Sequence, residues 1–203
     1  MPRIMSDRGG AFFTIGHSNR ELDEFLETLT EHGIETVVDV RKLAGSRCYP
    51  QFNADTLADA LAAVGIELTR FEGLTGRRPA SKTVPFETNA WWQNRSFHNY
   101  ADHALSAEFG EALRALRELG HEKRAAVMCA EAVWWRCHRR IIADYLLAAG
   151  EQVIHVLGPG SETPESLSEG AVPENGLLTY PEPLSPAPEA ESHRSSRAAF
   201  SRT

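Results

Sequence analysis

A chain of 203 residues with 42% hydrophobic and 24% charged side chains carries enough apolar material for one full-sized core. No apolar run approaches the roughly 18 residues of a membrane helix, Met1 to Gly10 lacks the apolar middle of a secretory signal, and the three cysteines form no CxxC pair or even-numbered framework. The expectation is a cytoplasmic protein with reduced thiols and no membrane partner, and the net charge of -7 disfavours broad coating of nucleic acid while leaving room for a local basic pocket.

Ala11 to Ile15 is a short apolar run that ends in Gly16-His17-Ser18-Asn19, and reads as a strand and a turn. Leu22, Phe25, Leu26 and Leu29 then fall at helical spacing between Glu21 and His32, and Gly33 stops the helix. Thr36 to Val40 is a second strand with Asp39 and Arg41 at its end. Asp55 to Val64 is a second helix closed by Gly65, and Ile66 to Phe71 a third strand. Periodicity disappears between Glu72 and Phe97, a loop long enough to serve as a lid or pocket wall. One helix is expected from Tyr100 to Leu119, with Asn99 as a cap. A strand follows at Arg124 to Cys129, a helix from about Val133 to Ala149, and a last strand at Gln152 to Val156. Strands alternating with helices imply a single α/β domain over residues 11–158, with a mostly parallel sheet of about five strands covered on both faces. The Pro-, Ser- and Glu-rich residues 159–203 read as a largely disordered tail, with Leu177 to Tyr180 as an apolar island able to dock.

In a parallel sheet the ligand crevice lies outside the carboxyl ends of the strands. His17 and Ser18 follow the first strand, Asp39 and Arg41 end the second, Gly76-Arg77-Arg78 follows the third, and Cys129 with Glu131 ends the fourth. Cys137, in the first turns of the next helix, has two readings: a thiolate favoured by the helix N-terminus and by Arg136, His138 and Arg139, or a small buried hydrophobe. Arg41, Arg77, Arg78 and Arg139 would suit a phosphate or carboxylate clamp; an ion pair with Asp39, Glu131 or another acid is the better account of any single one, but four converging arginines exceed that need. His17, Glu131, Cys137 and His138 are the candidate catalytic groups, with Ser18, Asp39, Tyr100 and the four arginines binding substrate. Cys129, Glu131, Cys137 and His138 are also candidate ligands for zinc or iron, although Cys129-x7-Cys137 is no standard zinc knuckle. Two tryptophan pairs, Trp91-Trp92 and Trp134-Trp135, would serve as stacking platforms or as core.

Several ordered motifs support a resemblance: Thr14-Ile15-Gly16-His17-Ser18, Val38-Asp39-Val40-Arg41, Pro50-Gln51-Phe52-Asn53, Gly76-Arg77-Arg78, Tyr100-Ala101-Asp102, and Met128-Cys129-Ala130-Glu131 continuing to Cys137-His138-Arg139. Spanning about residues 12 to 157, they resemble the family called "domain of unknown function 488". The chain departs from that pattern at Leu74-Thr75 before Gly76, where a Gly-Gly pair is expected, and at Val133-Trp134-Trp135, where a proline-containing stretch is more usual. The resemblance implies an α/β domain with a polar pocket, and no settled reaction.

The residues favour an enzyme acting on a phosphate-bearing small molecule or nucleic-acid end, with Glu131 and His17 as acid and base and Cys137 attacking or supporting. The ligand expected is a small-molecule or nucleotide-like anion. A metal or ligand sensor using Cys129, Glu131, Cys137 and His138 is the alternative, and a nucleic-acid interaction module a third.

Overall fold

The structure is a computed structural model that describes residues 11–183. Its centre is a six-stranded sheet in the order β3-β2-β4-β1-β5-β6. The first five strands, β1 (Phe12–Gly16), β2 (Thr36–Asp39), β3 (Glu67–Arg70), β4 (Ala125–Cys129) and β5 (Val153–Gly158), run parallel. β6 (Ser161–Pro164) returns antiparallel along β5.

Strand periodicity divides the core in two. Phe12, Val38, Val127 and Cys129 face α3 (Arg95–Ala104), α4 (Ala107–Glu122) and α5 (Arg139–Ala148), where Tyr100, Phe109 and Ile141 pack on them. Phe13, Ile15, Val37 and Met128 face the other way, onto Phe25 and Leu29 of α1 (Leu22–Glu31) and Leu57 and Leu61 of α2 (Ala54–Ala63). β1, β2 and β4 are buried along their whole length, as the near-continuous apolar runs of a doubly covered sheet require.

Three expectations need correction. The helical stretch expected from Tyr100 to Leu119 is two helices. The first begins at Arg95 with Asn94 as cap, its side chain accepting from Ser96 N, while Asn99 instead donates to Arg78 O. The second is capped by Ser106, whose hydroxyl accepts from Phe109 N. The helix expected from Val133 begins at Arg139, after one 3-10 turn over Trp134–Arg136, so Cys137 precedes the helix rather than riding its first turns. Residues 159–183, placed in the tail, carry β6, β7 (Val172–Glu174) and β8 (Leu177–Thr179). What holds this polar segment is its few apolar side chains: Leu178 and Tyr180 are fully buried, and the Tyr180 hydroxyl donates to Asp144 at 2.9 Å. Residues 184–203 lie outside the described residues.

Candidate functional site

Backbone bonding continues past the ends of the central strands and laces their carboxyl ends together. His17 N donates to Cys129 O, Val40 N to Met128 O, and Gly76 N to Val40 O, all between 3.0 and 3.1 Å. His17, Arg41, Gly76 and Cys129 are thereby fixed around one crevice at the carboxyl edge of the sheet. Two residues that flank it, Ser18 and Arg77, hold left-handed backbone (φ 50° and 56°), a conformation that costs a non-glycine residue about 1–3 kcal/mol and recurs at functional sites.

The crevice encloses about 330 Å³ over Cys129, Cys137 and His138, with Tyr100 and Phe97 along one side. Arg41, Arg77, Glu131 and Arg136 also line an adjoining lobe that reaches His17, Ser18 and Tyr49. Lys42, Arg77 and Arg136 stand exposed on the rim. Their charged groups make no hydrogen bond or ion pair among the described residues. Lys42 and Arg136 were not singled out as binding groups from sequence. The signal available was the position of each, one residue beyond Arg41 at a strand end and one before Cys137.

On the floor, Cys137 Sγ lies 3.7 Å from His138 Nδ1 and accepts from Arg139 Nε at 3.4 Å. Burial pushes the Cys137 thiol up, but the Cys129 thiol beside it, His138 and the Arg139 guanidinium outweigh that and hold it well below its ordinary value. Cys129 moves the opposite way, raised by contact with the Cys137 sulfur and by burial. The two opposite shifts favour the anionic form at Cys137 over Cys129. His138 is positioned from behind: its Nε2–H donates to Val40 O at 3.1 Å, and the Tyr100 ring lies 4.7 Å away. Since a carbonyl only accepts, Nδ1 is the nitrogen turned toward the sulfur.

The other expected site residues divide clearly. Arg41 is buried on the crevice wall. Its Nε and Nη2 bind Asp39, and Nη1 donates to Phe52 O at 2.7 Å and lies 3.2 Å from His17 Nε2. Asp39 thus fixes Arg41 rather than substrate. His17 Nδ1–H donates to Ser18 O, so both ring nitrogens are engaged. Burial holds its pKa down to about 4. With its basic nitrogen facing Arg41 Nη1 and its basicity lowered by burial, the ring has no free lone pair for the base role assigned from sequence. Arg139, only 1% exposed, donates through Nη2 to Glu131 O at 2.6 Å and through Nη1 to Thr14 Oγ1 at 3.4 Å. It braces the Cys137 loop from inside and does not line the cleft. Arg78 likewise closes its own loop on Thr75 O, with an ion pair to Glu108 at 3.3 Å. Tyr100 OH donates to Leu74 O, leaving a ring edge as wall. Ser18 lines the adjoining lobe, with its hydroxyl donated to Asn19 Oδ1.

Glu131 holds an exposed carboxylate at the lip, and it is absent from the cluster of Cys129, Cys137 and His138, whose donor atoms lie within 4.8 Å of one another. The four-residue metal set expected from sequence therefore reduces to three. The tryptophans do not line the cleft either. Trp134 stacks on His155 at 4.3 Å, Trp91 and Trp92 pack together under Arg140, and Trp135 is exposed.

No helix among the described residues is long and apolar enough to cross a membrane. No curated protein and no solved structure matches the chain. A family model does: it spans residues 21–146, from α1 through most of α5, and takes in β2, β3, β4 and the Cys137-His138-Arg139 segment. The chain belongs to the family described as "Domain of unknown function DUF488".

Proposed function

We propose that this protein is an enzyme, a hydrolase or transferase, acting on a small phosphate-bearing molecule or the phosphorylated end of a nucleic acid. The anion rests on Lys42, Arg77 and Arg136, and the reacting centre lies over Cys137 and His138. The supporting observation is the pairing of those three cations, none internally neutralised among the described residues, with a polarised Cys–His pair in one 330 Å³ crevice. Three like charges around a concavity repel one another, and an anion bound there relieves that repulsion. The overall charge of -7 opposes a long polyanion but not a small or terminal phosphate held locally.

Turnover of a panel of phosphate esters and nucleotides, followed by product chromatography, tests this reading. Arg77→Ala is expected to raise KM about tenfold with kcat little changed, because the rim holds substrate and transition state alike. Cys137→Ser is expected to lower kcat by about a hundredfold or more, because it alters the reacting floor. Absence of turnover and of binding across the panel, or full activity in Cys137→Ser, would reject the reading. A non-catalytic sensor built on the same three donor atoms is the second reading, favoured by their mutual approach. It requires tight binding with no product.

A further inference from the structure

The geometry of Cys129, Cys137 and His138 is more specific than a nucleophile and its partner require. All three donor atoms approach one another within 4.8 Å, and Cys137 Sγ stands 3.7 Å from His138 Nδ1. Zinc binds thiolate at about 2.3 Å and imidazole at about 2.0–2.1 Å, so two tetrahedral ligands stand roughly 3.5–3.8 Å apart. The Cys137–His138 pair already has that separation, and the Cys129 sulfur lies within 4.8 Å of both.

The surroundings are those of a ligand set. Metal-binding histidines characteristically donate their second ring N–H to a carbonyl or carboxylate, which fixes the tautomer and aims the free lone pair. His138 does this through Nε2–H to Val40 O. Its ring fits because residue 76 is glycine: a Cβ there would lie 2.8 Å from both Cε1 and Nδ1. Arg139 Nε supplies an N–H to Cys137 Sγ from the interior, the outer hydrogen bond that steadies a ligating thiolate. The Cys129 sulfur reaches the same point because the two-residue period of β4 sends positions 127 and 129 to the face covered by α5.

We propose that Cys129 Sγ, Cys137 Sγ and His138 Nδ1 bind one zinc ion, leaving its fourth position open to the cleft. The assignment deepens the enzymatic reading and rests on it for the meaning of the open position. Two sulfurs and an imidazole select a borderline-soft ion and disfavour magnesium or calcium. Three protein ligands with one open position is the arrangement of catalytic rather than structural zinc. Such an ion supplies a Lewis acid and an activated water beneath the site where Lys42, Arg77 and Arg136 hold an anion.

The test uses the full chain, purified without chelators and incubated with zinc, then with cobalt(II) after metal removal. Elemental analysis is expected to give stoichiometric zinc, and the cobalt form a thiolate-to-metal charge-transfer band with tetrahedral visible absorption. Cys129→Ser and His138→Ala are expected to weaken zinc binding by about a hundredfold or more, while Glu131→Gln retains it. Failure of the wild-type chain to take up zinc, a cobalt spectrum without the thiolate band, or full zinc retention in Cys129→Ser would overturn the proposal. The cobalt spectrum of the wild-type chain decides the matter even where a variant misfolds. Phosphate-ester turnover by a chain that takes up no zinc would sink the zinc site and leave the enzymatic reading standing. Stoichiometric zinc without turnover would do the reverse.

Discussion

Gly76 decides whether His138 can reach its place. A methyl group at that position would lie 2.8 Å from two ring atoms, and the Tyr100 ring also packs on the imidazole, 4.7 Å between centroids. Gly76→Ala is therefore expected to push the ring off Val40 O and to cost about 1–3 kcal/mol of stability, read by thermal or urea unfolding. Zinc uptake should fall with it, and unchanged values of both would show that the loop yields instead. His17 makes a second claim at this scale. Burial, only partly offset by the bond to Ser18 O, lowers its pKa to about 4 from an ordinary 6.5. Below pH 6.5 the unfolded chain takes up a proton that the folded ring refuses, so this histidine's contribution to stability is whole above that pH and is lost as pH falls toward 4. Proton-detected titration of the ring should find it neutral at pH 5, and a protonated ring there would refute the assignment. The sequence identified His17 as polar and at a strand end. It held no sign that Arg41, 24 positions away, would point its Nη1 at the ring's free nitrogen.

At the scale of elements, the break between α3 and α4 illustrates what periodicity conceals. Apolar spacing runs through Leu105 without a fault, because Ala104 and Phe109 bury against the same face on either side of the interruption. The stop is written instead in Ser106, whose hydroxyl caps the second helix through Phe109 N. Ser106→Ala is expected to cost about 1 kcal/mol in chemical unfolding, and a neutral effect would mean that the turn is held by its packing alone. The start of α5 differs from expectation for a related reason: Val133 to Arg136 leads into the apolar-periodic run with no glycine or proline, but makes only one 3-10 turn between extended residues Val133 and Cys137. That delay shapes the crevice. It brings Cys137 and His138 to the rim of the sheet rather than onto a helix flank, and it leaves Arg139, the first helical residue, to anchor Glu131 O and the Cys137 sulfur at once.

For the molecule as a whole, the carboxyl-terminal strands are as much part of the fold as the central sheet. Tyr180, from a segment whose composition suggested a tail, meets Asp144 of α5 inside the protein. Burial raises the Asp144 carboxyl from 3.8 to about 6, against the opposing bonds from Ser168 and Tyr180. A folded value above the unfolded one means that its stabilising contribution is present below pH 4 and is lost as pH rises through about 6. Asp144→Asn keeps an acceptor for Ser168 N–H but has no charge to bury. The melting temperature of the variant relative to its parent should therefore improve from pH 5 to pH 8, and a difference independent of pH would contradict the buried, elevated carboxyl. His17 and Asp144 thus act on acid stability in opposite senses, and the measured profile is their sum with the other buried histidines.

The sequence by itself determined the kinds and faces of the elements. Alternation along Phe12 to Ile15 and Ala125 to Cys129 assigns side chains to the two faces of a covered sheet, and glycines 33, 65 and 150, all at positive φ, end helices where left-handed backbone is needed. It also placed the polar groups at strand ends, because that choice depends only on local order along the chain. Strand order was a tertiary decision. β4 lies between β2 and β1, although it follows them by more than eighty residues, and this insertion sets Cys129 beside Arg41 and His17. Tertiary structure also sorted the arginines, burying Arg41 and Arg139 against local acceptors and leaving Arg77 and Arg136 exposed on the crevice rim. The physical reason is that a guanidinium's role is fixed by which acceptors reach it in space, and spacing along the chain carries no record of them.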